Sequence, residues 1–244
     1  MEFKPETFGE LYADEYDALH NPGTTAESVA LIAELAGTGR LLELAIGTGR
    51  MALPLAERGF SIEGVEGSPE MVAKLREKPG GADIPVLTGD MSDFQLDRSF
   101  DFAFLVFNTI FNLTSQAAQV QCFRTVAEHL NPGGAFLVET FVPDLTRFDD
   151  HQTVRTRNLG FKTVWLEAIE HDPVAQVFSF QRIRISAEGT HLAPLIMRYA
   201  WPQEIDLMAQ LAGLHLEARW GGWERQPFTA DSKMHVSLYR KPEA

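Results

Sequence analysis

The feature that most constrains this chain is the run Leu41-Leu42-Glu43-Leu44-Ala45-Ile46-Gly47-Thr48-Gly49-Arg50. An apolar stretch carries one carboxylate, breaks into a two-glycine turn, and is followed by a helix-compatible segment. In a parallel sheet this pattern turns the end of a strand into a loop whose backbone closely approaches a nucleoside-bearing ligand, because glycine has no Cβ to hold the ligand off.

The flanking sequence supplies the rest of such a sheet. Residues 24–37 read as a helix, with Val29, Leu31, Ile32 and Leu35 apolar and Gly37 as its stop. Strands are expected at 40–46, 60–65, 84–88, 100–107 and 135–140, with helices at 50–58, from Pro69 onward and at 116–130. Asn131-Pro132-Gly133-Gly134 predicts a turn before the fifth strand. Alternating strands and helices predict a parallel sheet with helices on both faces. After about residue 150 the segments 152–158, 161–171, 176–187 and 190–200 are rich in β-branched and aromatic residues. They predict an antiparallel meander added to the sheet. A helix at 203–212 and strands near 214–220 and 233–240 close the chain.

The expected fold class is α/β: a Rossmann-like, doubly wound, seven-stranded sheet with a reversed terminal strand, plus an antiparallel β cap inserted after strand 5. One domain spans 1–244, divided into an N-terminal helical lid (1–37), a cofactor-binding core (38–150), the cap (151–200) and a C-terminal helix with closing strands (201–244).

Composition narrows the function classes. The net charge of -13 argues against nucleic acid, which needs a basic face, and suits a neutral or cationic small molecule. A single cysteine, Cys122, excludes an internal disulfide and a cysteine-based metal cluster. The first residues lack a secretory pattern and no apolar run is long enough to span a membrane, so the expected location is cytoplasmic. No metal is expected.

The glycine loop supports two readings. Gly47-Thr48-Gly49-Arg50-Met51-Ala52 satisfies the G-x-G-x-x-G/A pattern of dinucleotide sites, and Glu66 stands about where a ribose-binding acid belongs. Three features favour S-adenosylmethionine over NAD. Glu43 would repel a pyrophosphate, whereas the amino group of a methionine moiety would partner it, directly or through water. Asp90, in Thr88-Gly89-Asp90-Met91, can accept from an adenine amino group while Met91 packs on the ring. The two strands after the last helix suit a sheet closed by a reversed strand.

With these residues in place, the chain resembles the class I S-adenosylmethionine-dependent methyltransferases of the small-molecule type, across about residues 10–240. Glu43 to Gly49 resembles the family's first motif, and Gly64-Val65-Glu66-Gly67-Ser68-Pro69-Glu70-Met71 its second. Gly89-Asp90-Met91 resembles the adenine-binding motif, and His129 to Gly134 the turn before strand 5. The resemblance implies cofactor contacts from Tyr16, Glu43, Ala45, Gly47, Gly49, Arg50, Glu66, Gly67, Ser68, Met71, Gly89, Asp90, Met91, Phe107 and Asn108. Ala45 departs from the usual first glycine and implies a slightly bulkier loop.

The acceptor side is less determined. In open α/β sheets ligands sit beyond the carboxyl ends of the strands, which makes Phe107, Asn108 and Phe111 candidate walls. Tyr12 and Tyr16 form an i, i+4 pair that resembles the N-terminal tyrosine motif of the sugar N,N-dimethyltransferases and implies a lid over the cofactor. The cap is expected to roof the acceptor with Arg155, Arg157, Trp165, His171, Arg182, Arg184 and Arg198, followed by Tyr199 and Trp201. Tyr12, Tyr16, Asn108 and His171 are the catalytic candidates, and His171, Glu139 or a tyrosine is the candidate base. The expected chemistry is methyl transfer to an oxygen or nitrogen of a small molecule. Two alternatives stay open: a non-methylating use of the same cofactor, such as its cyclisation, and an NAD-dependent oxidoreductase. Relatives with antiparallel caps often pair through them, so the resemblance also implies a homodimer.

Overall fold

The protein is described by a computed structural model covering residue 13, residues 16–19 and residues 22–243. A short helix α1 (Tyr16–Leu19) precedes α2 (Thr25–Ala36). Then β1 (Leu41–Leu44), α3 (Ala52–Glu57), β2 (Ile62–Glu66), α4 (Pro69–Arg76), β3 (Val86–Thr88), β4 (Phe100–Leu105), α5 (Gln116–His129) and β5 (Leu130–Phe141) form the alternating half. The strands β6 (Gln152–Leu159), β7 (Val164–Asp172), β8 (Val177–Ser186) and β9 (Gly189–Arg198) follow. Helix α6 (Pro202–Leu211), β10 (His215–Trp220) and β11 (Met234–Arg240) end the chain.

The main sheet has seven strands in the order β10-β11-β5-β4-β1-β2-β3. Strands β1 to β5 run parallel and β11 runs antiparallel beside β5, which is the reversed strand expected from the tail. The order reverses direction at β1 and β4, so the crevice beyond their carboxyl ends is where a ligand enters such a sheet.

Alternation along the strands sorts side chains onto two faces. Ala103 and Leu105 of β4 join Phe123 and Val126 of α5 and Ile205 and Met208 of α6 in one buried cluster. Phe102 and Phe104 join Val29 and Ile32 of α2, Leu55 of α3 and Leu75 of α4 in the other. Both faces of the sheet are thus covered, and the strands read as near-continuous apolar runs. Ser68 and Ser115 cap α4 and α5 by accepting the backbone N–H groups of Met71 (3.2 Å) and Ala118 (3.1 Å).

Two elements differ from the sequence expectation. The meander adds no strand to the main sheet; β6-β7-β8-β9 make a separate four-stranded sheet. Its inner face carries Ile169, Phe178, Phe180 and Leu195, which join the buried cluster holding Phe111 and Val138 of β5. Residues 131–134, expected as a turn, lie within β5. Their backbone groups pair with the chain after β11: Gly133 N–H donates to Lys241 O (3.2 Å) and Lys241 N–H to Gly134 O (2.8 Å). Gly133 takes φ 74, which glycine adopts without a Cβ clash. Among the described residues, no helix is long and apolar enough to cross a membrane.

Candidate active site

Beyond the carboxyl ends of β1, β2, β3 and β4 lies a cavity of about 670 Å³, bounded on its far side by the cap sheet. Tyr16, Ala45, Gly47, Glu66, Gly67, Ser68, Met71, Gly89, Asp90, Met91, Phe107 and Asn108 all line it. The cap and its approach contribute Phe141, Arg147, Arg155, Arg157, Glu167, Phe180, Arg182, Leu195 and Met197. One continuous space therefore joins the loop ends of the parallel sheet to the face of the cap. Its volume falls within the range of about 300–1,000 Å³ usual for small-molecule sites.

The loop after β1 is shaped by its own backbone. Ala45 (φ 51) and Gly47 (φ 56) both lie in the left-handed region. The Gly47 N–H donates to Glu66 Oε2 at 2.7 Å and the Ser68 N–H to Glu66 Oε1 at 2.9 Å. The second-strand acid is thereby clamped between two loops, and its carboxylate keeps further lone pairs able to accept. Burial pushes its carboxyl above the usual range, and those backbone donors pull it part of the way back.

The two loop glycines do different work. Gly47 faces the cavity. Gly49 does not line it: at φ 83, a Cβ there would stand 2.4 Å from Leu75 Cδ1 and 3.1 Å from Leu53 Cγ. Gly49 thus lets the loop pack against α3 and α4.

Glu43 is 3% exposed and does not line the cavity, but its Oε2 has no hydrogen-bond partner among the described residues. Burial holds its carboxyl well above the usual carboxylate range. Arg50 offsets part of this, and Glu66 adds to it. An orphaned carboxylate oxygen beneath the loop fits a ligand amino group nearby. The Arg50 guanidinium, also outside the lining, sits over the Phe107 ring at 5.2 Å from its centroid. Asp90 accepts the Ser92 N–H (2.7 Å) and hydroxyl (2.8 Å) at Oδ1, and no residue described here donates to Oδ2. The residues present therefore fit the donor group implied by the resemblance: a free acceptor for an amino group, a clamped acid for the ribose and a free carboxylate oxygen for adenine.

At the end of β4 the chain makes two left-handed residues in succession, Phe107 (φ 61) and Asn108 (φ 63). Such backbone persists only where its surroundings enforce it. Here Glu139 Oε2 accepts the Phe107 N–H at 2.5 Å, and Asn108 Oδ1 accepts the Phe141 N–H. Strand β5 thus locks the β4 end from both sides. Glu139 is raised by burial and lowered in part by the Phe107 N–H and Arg50.

Tyr16 of α1 lines the cavity, and burial pushes its phenol up to about 12, so the hydroxyl stays protonated at neutral pH. Helix α1 is tied to the glycine loop through Asp17, which accepts from Thr48 Oγ1 (2.5 Å) and pairs with Lys78 Nζ (2.5 Å). Sequence reasoning missed this tether, because nothing local links residues 17, 48 and 78. Tyr12 lies outside the described residues.

The cap residues divide sharply. Arg155, Arg157 and Arg182 line the cavity, whereas Trp165, His171, Arg184, Arg198, Tyr199 and Trp201 do not. His171 is 5% exposed, its Nε2 pairs with the Tyr199 hydroxyl at 3.1 Å, and it packs beside Phe178 and Phe148. Burial holds its imidazolium down, and His151 and Arg147 reinforce this. His171 is thus a neutral core residue away from the cavity. Arg198 is bound to Gln119 and Glu204 and ties α5 to α6 through the cap's last strand. Arg147, Asp144 and Lys233 line the cavity without having been expected there, since they stand in loops with no periodic signal.

Comparison with known proteins agrees with this arrangement. Residues 41–134 match the model of a methyltransferase domain family. The CcbJ methyltransferase from Streptomyces caelestis is 38% identical, with a TM-score of 0.93 over 99% of this chain and 100% of that one. The cypemycin N-terminal methyltransferase of a Streptomyces species is 29% identical over 82% of this chain and 83% of that protein. The dTDP-3-amino-3,6-dideoxy-alpha-D-glucopyranose N,N-dimethyltransferase of Streptomyces fradiae is 33% identical over 54% of this chain and 53% of that protein. With a full-length likeness at this identity, and with the motif residues gathered at one crevice, the chain belongs to the S-adenosylmethionine-dependent methyltransferases.

Proposed function

We propose that the protein transfers a methyl group from S-adenosylmethionine to a nitrogen of a small-molecule acceptor held under the β cap. The observation that carries this reading is the single cavity joining Glu66 and Asp90 to Asn108 and the cap face. One of the relatives named above is an N,N-dimethyltransferase by name, acting on an amino sugar nucleotide, and another is named for methylation at an N-terminus, which supports nitrogen over oxygen.

When bound, the donor supplies an electrophilic methyl on its sulfonium. The chain's contribution is placement. Glu43 offers its free oxygen to the amino group, Glu66 receives the ribose and Asp90 the adenine amine. Phe107 and Asn108, fixed by β5, form the wall where acceptor and methyl meet in line. Tyr16, anchored through its neighbour Asp17, covers the donor and excludes water. Its protonated phenol donates and does not serve as a base. His171 is in the core, and Glu139 is occupied by the Phe107 N–H. An acceptor that needs no strong base, a neutral amine with a free lone pair, suits these residues best. Its nitrogen gains the methyl and the surplus proton leaves to solvent.

Incubation with trideuteromethyl-labelled donor and a panel of amines and alcohols tests the reading by mass spectrometry. We expect trideuteromethylated amine together with S-adenosylhomocysteine. Methylthioadenosine without a methylated product would instead establish cofactor cyclisation. Exposed Val154, Leu159, Ile185 and Leu192 on the cap support a homodimer through that sheet, which light scattering checks.

A further inference from the structure

The far end of the cavity carries a charge pattern that the donor does not explain. In the cap, Arg155 of β6 pairs with Glu167 of β7, which pairs with Arg182 of β8. Facing residues of neighbouring antiparallel strands project to the same side, so these three make a row on one face of the sheet. That face is the one toward the cavity. Arg157 reaches the same carboxylate at 2.7 Å, Arg155 holds it at 2.6 and 2.9 Å, and Arg182 approaches to 3.6 Å. One carboxylate, 1% exposed, thus serves three guanidiniums.

A fourth guanidinium has no such support. Arg147 reaches the cavity from the loop after β5 and lies over the rings of Phe148 and Phe178, at 5.1 and 5.3 Å. Its Nε is buried without a hydrogen-bond partner, and it makes no ion pair among the described residues. Burial and the charge of Arg155 disfavour its protonated form, and Glu167 and Asp144 offset this only in part. With Lys233, five cations line this end against two carboxylates, Glu167 and Asp144. Phe180, Leu195 and Met197 line the same region and lower the local polarity. The chain as a whole is acidic, so this end of the cavity opposes the general field and the whole-chain charge misleads about the ligand.

Resting on the acceptor-cavity reading above, we propose that the acceptor carries an oxyanion, a carboxylate or a phosphate ester, which docks between Arg147, Arg155 and Arg157. Guanidinium forks suit both groups, since each presents paired oxygens to planar donors. Glu167 is then a positioning residue: it aims Arg155 and Arg157 and neutralises part of their charge until the acceptor arrives. The anion fixes one end of the molecule, and the methyl-accepting atom lies at the other, toward Asn108.

The test is calorimetry on protein saturated with S-adenosylhomocysteine. The probes are inorganic phosphate, thymidine diphosphate, hippurate and the neutral analogue hippuramide. At least one anion is expected to bind saturably and hippuramide not at all. Binding of phosphate and thymidine diphosphate alone identifies a phosphate ester, and binding of hippurate alone a carboxylate. Arg147→Met is expected to weaken that anion about tenfold or more, the scale of a charge-assisted hydrogen bond, with S-adenosylhomocysteine affinity unchanged. Glu167→Gln keeps an accepting oxygen to aim the guanidiniums but removes the internal negative charge that competes with the ligand, and is expected to tighten anion binding. Arg147→Lys, which keeps the charge but loses the fork, replaces Arg147→Met if that variant does not fold. Protein that binds S-adenosylhomocysteine but no anion overturns the proposal, as does equal anion binding by wild type and the Arg147 variant. Failure to bind S-adenosylhomocysteine overturns the donor-site reading on which the proposal rests. Anion binding by that same protein would leave the basic site standing on its own.

Discussion

Replacing Glu43 by glutamine separates stability from ligand binding at the donor end. The Glu43 carboxyl is 3% exposed, and its Oε2 has no hydrogen-bond partner among the described residues. Burial raises it well above 4.5, with Arg50 offsetting part of the shift. The folded protein therefore holds this proton more tightly than the unfolded chain does. The stability contributed by Glu43 is complete below its unfolded value and is lost as pH rises toward the folded value. Between the two, each pH unit removes about 1.4 kcal/mol. For a chain of this size that is about 3 to 6 °C in Tm per pH unit. Glu66 and Glu139, both raised by burial, act in the same direction. His235, lowered to about 3 by burial, and His171, also lowered, act oppositely, but only below their unfolded value of 6.5. Calorimetric melting above about pH 6.5, where neither histidine contributes, is thus the clean window. Without ligand, the wild type should lose Tm with rising pH more steeply than Glu43→Gln. With S-adenosylhomocysteine, whose ammonium is proposed above to pair with the carboxylate, the wild-type slope should flatten. Titration in buffers of different ionisation enthalpy should then show proton release that the variant lacks. Parallel wild-type and variant curves, with no difference in proton release, would refute the assignment of Glu43 to the ligand amine.

Other outcomes follow from particular contacts. Ala45→Gly should stabilise the protein by up to about 1.5 kcal/mol in urea unfolding, because relief of about 1–2 kcal/mol of left-handed strain outweighs the added chain entropy of about 0.5–1 kcal/mol; Ala45 sits at φ 51. Phe123→Ala should cost about 3–5 kcal/mol in the same assay, since Phe123 is fully buried and makes T-shaped ring contacts with Phe136 and Tyr239. Asn108→Ala should lower kcat about a hundredfold while S-adenosylhomocysteine affinity stays within about threefold, because the side chain that ties β4 to the Phe141 N–H is lost.

The lining of the crevice was legible at the strand ends because these residues sit in loops adjacent to their own strands. Glu66, Asp90 and Asn108 each follow a recognisable apolar run, and a parallel sheet brings all strand ends to one crevice. The loop pattern did not separate Gly47, which faces the ligand space, from Gly49, which makes room for Leu75. That difference is set by a tertiary contact. In the cap, enrichment in β-branched and aromatic residues placed Arg155, Arg157 and Arg182 on strands but did not show which face met the cavity. It gave His171 no distinction from a ligand-facing residue, although its ring is packed beside Tyr199 and Phe178. Arg147, outside any periodic element, offered no signal until the fold placed it over Phe178.

The central claim is that the crevice beyond β1, β2 and β3 holds S-adenosylmethionine through Glu66 and Asp90. Calorimetric titration of S-adenosylhomocysteine into wild type, Glu66→Ala and Asp90→Ala tests it most directly. Saturable binding to the wild type should weaken about tenfold or more in each variant, the scale of lost hydrogen bonds to a charged group, while NAD gives no heat. Absence of wild-type binding, or unchanged affinity in both variants, would contradict the account.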